Sequence, residues 1–469
     1  MRIRDLSTSR RRIIGIGFAA LSCALAAGTV RADTPPLLRF ETVKTPKGLL
    51  FHYREAPSTP FAAISFGMRD IWGVTTPGKE GFSSLGASLV MQGADGAGQT
   101  EFVERLKDLT ATASISFAPY STQGNVRAPT ATLAASMAIL ASALKSARPS
   151  ERLLERLKQR ASGGDAQAAL RAETIAERAA MWFTLGDHSI TRGFDPKRFE
   201  RIDRDDLAAW RQASLDRSRL RLAASGRISR HEAAGIIDNA FGDVPVLAPL
   251  KPRDWPEVAI DGGTIVVEHD TPQSTVLLVG VTGIRVGRDV ETAQIATAVL
   301  SGSNGRLWQG VRAGLGSTYG ASAGLMLVGP GKRLVSLRSA VDNGQVKASV
   351  EALKAVYTMW RSEGVTQAEL SATTSRMVTG FRDALDDPAR ANGIVIGMQL
   401  ASRDISEIYT YEARVGGTDR AALNRFIAEK FPAPETFLTV IVTPRAEGLG
   451  ATCVVRTAEE AKGCRTPRK

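Results

Sequence analysis

The sequence predicts an α+β protein made of two duplicated units. Three observations lead there. An order of strands and helices recurs at a spacing of roughly 210 residues. A proline-spaced stretch, Val244-Pro245-Val246-Leu247-Ala248-Pro249-Leu250-Lys251-Pro252, stands between the copies and cannot continue a helix. Hydrophobic residues make up 43% of the chain and charged residues 23%, the composition of a globular protein with a sizeable core.

In chain order, residues 1–32 read as an export signal. Arg2, Arg4, Arg10, Arg11 and Arg12 form a basic start, and Ile13 to Ala27 is an apolar run short for a bilayer. Val30-Arg31-Ala32 offers a small-residue cleavage site. Ser9-Arg10-Arg11-Arg12-Ile13-Ile14 fits a twin-arginine signal, which exports folded chains; an ordinary secretory signal is the open alternative. Cys23 follows Ala20-Leu21-Ser22, a poor lead-in for a lipid anchor. No later stretch is long and apolar enough to cross a membrane. The expectation is a periplasmic or otherwise exported protein.

The charge is +12, and the signal's six arginines and one aspartate account for five of it. The remaining +7 is modest and scattered, which argues against nucleic acid as a partner. Cys453 and Cys464 are left as an even pair near the C-terminus, the pattern of a disulfide closing a short loop. The expected division is a signal over 1–32, a first unit over 33–245, a second over 246–450 and a tail over 451–469.

Within the first unit, Gly48–Tyr53 and Phe61–Gly67 read as strands. A helix through Ser84–Met91, a polar turn and a helix over Thr100–Leu109 follow. Ala113–Phe117 alternates at period two, and Thr130–Ser146 spaces its apolar residues as a helix does. In the second unit, Thr275–Val281 reads as a strand and Val290–Leu300 as a helix. Strands over Gly320–Val328 and Leu334–Ala340 and a helix over Asn343–Glu363 complete the repeat.

Two runs carry the chemistry. Gly305-Arg306-Leu307-Trp308-Gln309-Gly310-Val311-Arg312-Ala313-Gly314-Leu315-Gly316-Ser317-Thr318-Tyr319-Gly320 reads as a helix end, a glycine break and a strand start. Gly302, Gly305, Gly314 and Gly316 permit tight turns there, and Arg312 and Tyr319 stand seven apart across the break. The other run is Pro77-Gly78-Lys79-Glu80-Gly81-Phe82-Ser83-Ser84-Leu85-Gly86-Ala87-Ser88-Leu89-Val90-Met91-Gln92-Gly93. Both resemble the insulinase/pitrilysin family of zinc peptidases. Leu185-Gly186-Asp187-His188, Ile202–Leu207, Leu222–Gly226, Ala240–Pro245 and His269–Ser274 fall where that family has similar elements, so the resemblance spans most of the chain after the signal.

The resemblance implies two units, each a mainly antiparallel sheet packed by helices, related by a pseudo-twofold about a cleft. It implies that Ser84, Ala87 and Ser88 stand where the family carries His-x-x-Glu-His. Serine hydroxyls are poor zinc ligands and alanine has no basic group, so no metal is expected in this chain. The family's third ligand, a Glu, falls by count near Asp165, which one carboxylate alone leaves as a solvated or capping residue. His52, His188, His231 and His269 include no two at ligand spacing. Arg312 and Tyr319 match the pair that the family uses to hold the substrate and stabilise the oxyanion. Read alone, Arg312 could cap its helix and Tyr319 pack on a sheet.

Three other motif matches fail on context. Gly73–Glu80 is one residue short of a P-loop and ends on an acid. Gly320-Ala321-Ser322-Ala323-Gly324 lacks the strand-to-helix setting of a nucleophile elbow, and Ser142-Ala143-Leu144-Lys145 lies inside a helix. The expected function is the non-catalytic subunit of an exported heterodimeric metallopeptidase. It would lend Arg312 and Tyr319 to a zinc-bearing paralogue that cleaves peptides. The alternative is a structural or peptide-binding scaffold with no proteolytic role.

Overall fold

Strict alternation in Phe61–Arg69 sets the centre of the first sheet: Ala62, Ile64, Phe66 and Met68 point to one face, Ala63, Ser65 and Gly67 to the other, and all are buried. The computed structural model describes residues 39–69, 78, 80–93, 98–118, 121–249, 257, 258, 260–285, 287, 289–301, 305–315, 320–329 and 331–465. They belong to a single compact unit.

The first copy begins with strands β1 (Glu41–Lys44), β2 (Leu50–Glu55) and β3 (Phe61–Arg69). Helices α1 (Phe82–Val90) and α2 (Gln99–Asp108) lead to strands β4 (Thr112–Ala118) and β5 (Ser121–Pro129). Helices α3 (Thr130–Ser146), α4 (Glu151–Ala169), α5 (Ala172–Leu185), α6 (Ser189–Arg192) and α7 (Arg204–Ser214) precede β6 (Leu220–Gly226) and α8 (Arg230–Phe241). The second copy runs β7 (Thr264–Glu268), β8 (Ser274–Val281), α9 (Val290–Leu300), α10 (Arg306–Leu315), β9 (Gly320–Gly329) and β10 (Lys332–Val341). It continues through α11 (Val346–Glu363), α12 (Gln367–Asp386), α13 (Pro388–Leu400), α14 (Glu407–Gly416) and α15 (Arg420–Lys430) to β11 (Leu438–Thr443) and β12 (Cys453–Val455). The helix expected from Asn343 opens with a 3-10 turn over Asn343–Gln345.

The two six-stranded sheets have matching orders, β1-β2-β6-β3-β5-β4 and β12-β7-β11-β8-β10-β9. The first is antiparallel except where β2 meets β6. The second is parallel on both sides of β7 and antiparallel elsewhere. The copies match in order except at one edge, where β1 comes from the start of the chain and β12 from its end.

Each sheet is covered on one face by its own helices and on the other by a helix from the other copy. Ala62, Ile64 and Phe66 pack under α3 and α8. The opposite face, with its small Ala63, Ser65, Gly67 and Ser225, receives α13. The Asn392 amide of α13 donates to the carbonyls of Ala63 (3.0 Å) and Ala223 (3.3 Å), and Ser225 Oγ donates to Pro388 O (2.9 Å). In return, α5 lays Ile175, Ala176, Ala179, Ala180 and Trp182 on Ile265, Val267, Leu277, Val279 and Val440 of the second sheet. Burial of each of the larger aliphatic side chains contributes about 1.5–3 kcal/mol, so this exchange joins the copies firmly. Cys453 and Cys464 are bonded, with Cα atoms 5.8 Å apart. The short helix Glu459–Cys464 lies against α5, with Lys462 Nζ 5.1 Å from the centre of the Trp182 ring. Among the described residues, no single helix is long and apolar enough to cross a membrane.

Candidate functional site

Helix α1 is fixed by one face and leaves the other open. Its N-cap, Gly81, has φ 105°, a left-handed conformation that favours glycine. A Cβ there would also lie 2.9 Å from the Phe199 ring. Phe82, Leu85 and Leu89 are buried with Leu153, Leu154, Leu157, Phe199, Ile202, Leu207 and Trp210. The Trp210 ring lies where a Cβ on Gly86 would stand, at 2.3 Å, and its Nε1 donates to Ser83 Oγ (3.0 Å).

Ser84, Ala87 and Ser88 project on the other face. They line a cavity of about 380 Å³ together with Met91, Gln92, Gln99, Ile115, Phe117, Leu157, Arg160 and Ala161. The cavity therefore lies between α1, α4 and β4, and β4 is the edge strand of its sheet. The hydroxyl protons of Ser84 and Ser88 are already committed. Ser84 Oγ donates to Gly81 O and Ser88 Oγ to Ser84 O, each at 2.9 Å. Across the cavity, Arg160 Nη1 donates to Gln99 Oε1 at 3.0 Å.

These residues do not fit a zinc centre. Ser84, Ala87 and Ser88 offer no imidazole or carboxylate. Among the described residues, no group of three or more His, Cys, Asp or Glu side chains could hold a metal ion. The expectation for Asp165 needs correction. It is half-buried and paired: Asp165 Oδ2 lies 2.6 Å from Arg198 Nη2, a close ion pair without hydrogen-bond alignment. Asp165 does not line the cavity; Leu157, Arg160 and Ala161 are the α4 residues that do. Counting along the chain reached the right helix but overshot the cavity by a turn.

The histidines are dispersed. His52 lies 3.3 Å from Thr42 Oγ1, and burial holds its pKa below the usual value. His188 caps α6 by accepting from Ile190 N, and His269 Nε2 lies 3.3 Å from Leu170 O. His231 is exposed near the start of α8.

In the second copy, Arg312 lies on α10, and Gly320 opens β9. Tyr319, with Gly302 and Gly316, lies outside the described residues. Helix and strand flank the glycine break, as the sequence suggests. Leu307 and Val311 anchor α10 in the core, and a Cβ on Gly310 would lie 2.4 Å from Val356 Cγ2. Arg306 forms a two-pronged bond with Glu369, Nε to Oε1 at 2.5 Å and Nη2 to Oε2 at 2.6 Å. Burial alone would raise the Glu369 pKa, but Arg306 and the Thr366 N–H and hydroxyl bring it down to about 2. Of the other motif matches, Gly320–Gly324 is continuous strand and Ser142–Lys145 is continuous helix. Most of Gly73–Glu80 lies outside the described residues.

The sequence reading missed Arg160 and Gln99. The signal was present but weak: Leu157, Arg160 and Ala161 share one face of an amphipathic helix, and only contact with α1 gives that face a meaning.

Residues 201–377 match the family model described as Peptidase M16 inactive domain. No curated protein matches the chain. Among solved structures, a peptidase M16 inactive domain from Pseudomonas fluorescens is 17% identical with a TM-score of 0.76, over 87% of this chain and 98% of that one. A protease from Helicobacter pylori is 15% identical with a TM-score of 0.75, over 87% of this chain and all of that one (100%). The periplasmic protease PqqL from Escherichia coli is 14% identical with a TM-score of 0.72, over 93% of this chain and 49% of that one. The shared fold and the matched segment agree with the insulinase-type resemblance, and the match is to an inactive domain.

Proposed function

We propose that this chain is the non-catalytic subunit of an exported peptidase pair, built as units over 33–245 and 246–450. A zinc-bearing paralogue would supply the metal, and this chain would supply Arg312 and Tyr319 across the shared cleft. The Tyr319 hydroxyl would donate to the carbonyl oxygen of the scissile peptide as negative charge develops on it, and Arg312 would hold the peptide backbone. The observation that carries the reading is the cavity beside β4. Ser84, Ala87 and Ser88 line it, and the resemblance implies that these are the positions at which the family carries its ligands and base. The match of residues 201–377 to an inactive domain supports it. Export is proposed from the signal-like residues 1–32, and one neighbour of the same fold is a periplasmic protease.

The test is purification alone and with a paralogue that carries His-x-x-Glu-His. Alone, the chain should hold no stoichiometric zinc and show no chelator-sensitive peptidase activity. With the paralogue it should co-elute on size exclusion and cleave peptides. Tightly bound zinc with activity in the isolated chain would overturn the proposal. A pair that never associates over a wide concentration range would leave the peptide-binding scaffold as the better account.

A further inference from the structure

The cavity beside β4 has a chemistry of its own. Met91, Ile115, Phe117 and Leu157 give it an apolar wall, Ser84, Ser88, Gln92 and Gln99 add neutral polar groups, and the one charged group among its described lining residues is Arg160. Arg160 is exposed, and no carboxylate among the described residues stands within ion-pair distance of it. Its polar partner is the neutral Gln99 side chain. The hydroxyl oxygens of Ser84 and Ser88, with their protons turned to the helix, face the cavity mainly as acceptors. A zinc centre there would gather carboxylate and imidazole ligands around a cation. In this chain the site holds a cation and lacks acids.

Strand β4 adds direction. Among the described residues it pairs only with β5, which leaves its outer edge to accept another extended segment. Residues paired across a ladder point to the same face. A peptide residue opposite Ile115 or Phe117 would therefore put its side chain on the side of the sheet that carries the cavity. A volume of about 380 Å³ accommodates such a side chain.

We infer that the former metal pocket is a carboxylate-binding pocket, in which Arg160 receives an acidic side chain or the C-terminal carboxylate of a peptide added to the edge of β4. The inference deepens the peptide-binding part of the proposed function and needs no partner subunit. Arg160 would donate both arms of its guanidinium to the carboxylate, and the apolar walls would hold the methylenes that lead to it.

The experiment measures fluorescence anisotropy of labelled, β-prone hexapeptides on the isolated chain. Three peptides are compared: one with a central Glu and an amidated C-terminus, its Gln counterpart, and the Gln peptide with a free C-terminus. One or both carboxylate-bearing peptides should bind about fivefold to tenfold more tightly than the uncharged one, and salt should shrink the difference. Whichever of the two shows the gain identifies the source of the carboxylate. Arg160→Gln should abolish the preference and leave weak backbone-driven binding. Ser88→Glu, which places an acid in the pocket to pair with Arg160, should abolish the preference as well. Circular dichroism and Tm should match wild type for both variants, since both positions are exposed. Equal affinities for all three peptides, or a preference that survives Arg160→Gln, would overturn the inference. Neither result depends on whether the zinc-bearing pair forms, so the inference and the proposed function can fail separately.

Discussion

The stretch from α1 through β5 and the stretch from α9 through β10 have the same plan. Each sends two helices into a strand pair whose first strand is a sheet edge. They differ in the chemistry proposed for each. The first has a cavity lined by Ser84, Ala87 and Ser88; the second carries Arg312 on α10 and, next in sequence to β9, Tyr319, the pair proposed above to act on substrate. The difference shows that packing and chemistry occupy separate faces of a helix. On α1, Phe82, Leu85, Gly86 and Leu89 fix the fold from one side, while Ser84, Ala87 and Ser88 face the other. Side chains on that side can change without disturbing the core.

The largest effect should come from removing the chemistry assigned to the second stretch. In a reconstituted pair, Tyr319→Phe should lower kcat roughly a hundredfold or more, the ~3 kcal/mol lost with one oxyanion donor, and change KM little. Arg312→Ala should raise KM as well, and the double variant should cost less than the sum. Steady-state kinetics on a quenched peptide, with circular dichroism as the folding control, make the measurement. An unchanged kcat for Tyr319→Phe in a well-folded, active pair would remove the functional contrast between the two stretches.

Next comes packing. Gly86→Ala puts a methyl into several atoms of the Trp210 ring, whereas Gly310→Ala meets a single methyl of Val356 on α11. Gly86→Ala should cost about 1–3 kcal/mol in urea unfolding. Gly310→Ala should cost less than Gly86→Ala, because it meets one methyl group where Gly86→Ala meets a ring, and the gain of ~1 kcal/mol in helix propensity offsets part of the repacking. Equal costs would show that the two helices are held alike.

Much of this contrast was legible in the sequence. Thr130–Ser146 and Val290–Leu300 form helices at the bounds that apolar spacing predicts, and the alternation of Ala113–Phe117 marks β4. The exchange of α5 and α13 between sheets was not legible. An apolar helix face reads the same whichever sheet it meets, and the small residues Ala63, Ser65 and Gly67 explain themselves only once α13 lies on them. A Cβ on Gly67 would stand 2.5 Å from Ile396. The cavity was half legible: the α1 positions followed from a motif, but its opposite wall depended on which turn of α4 came closest.

A smaller effect concerns how α10 is fastened. Its first residue, Arg306, is held by Glu369, which also caps α12 through Thr366. Glu369→Gln keeps a capping side chain and removes the charge, so it should cost about 1 kcal/mol at pH 7 for a partly exposed pair. The folded-state pKa of about 2 lies below the ordinary 4.5. Stability from this carboxylate is therefore complete above about pH 4.5 and is lost as pH falls toward 2. The Tm gap between wild type and Glu369→Gln should close over that window. A gap that stayed constant down to pH 2.5 would mean the charge contributes nothing.

The smallest effect is expected where a zinc peptidase would show the largest. Ser84→Ala and Ser88→Ala remove hydroxyls whose protons bond to carbonyls of their own helix or its cap. Such back-bonding contributes little to a helix, and alanine is the better helix former. Ser88 is exposed and Ser84 half-buried, so neither change opens a cavity. Each should shift stability by no more than about 0.5 kcal/mol, toward greater stability if at all. Peptide cleavage by the reconstituted pair should stay within about twofold of wild type, since neither hydroxyl is placed to act as ligand or base. Urea unfolding and the quenched-peptide assay measure both on the same preparations. A tenfold loss of activity with unchanged stability would mean that a hydroxyl on α1 touches the substrate. The first stretch would then take part in the reaction, and the contrast proposed between α1 and α10 would fail.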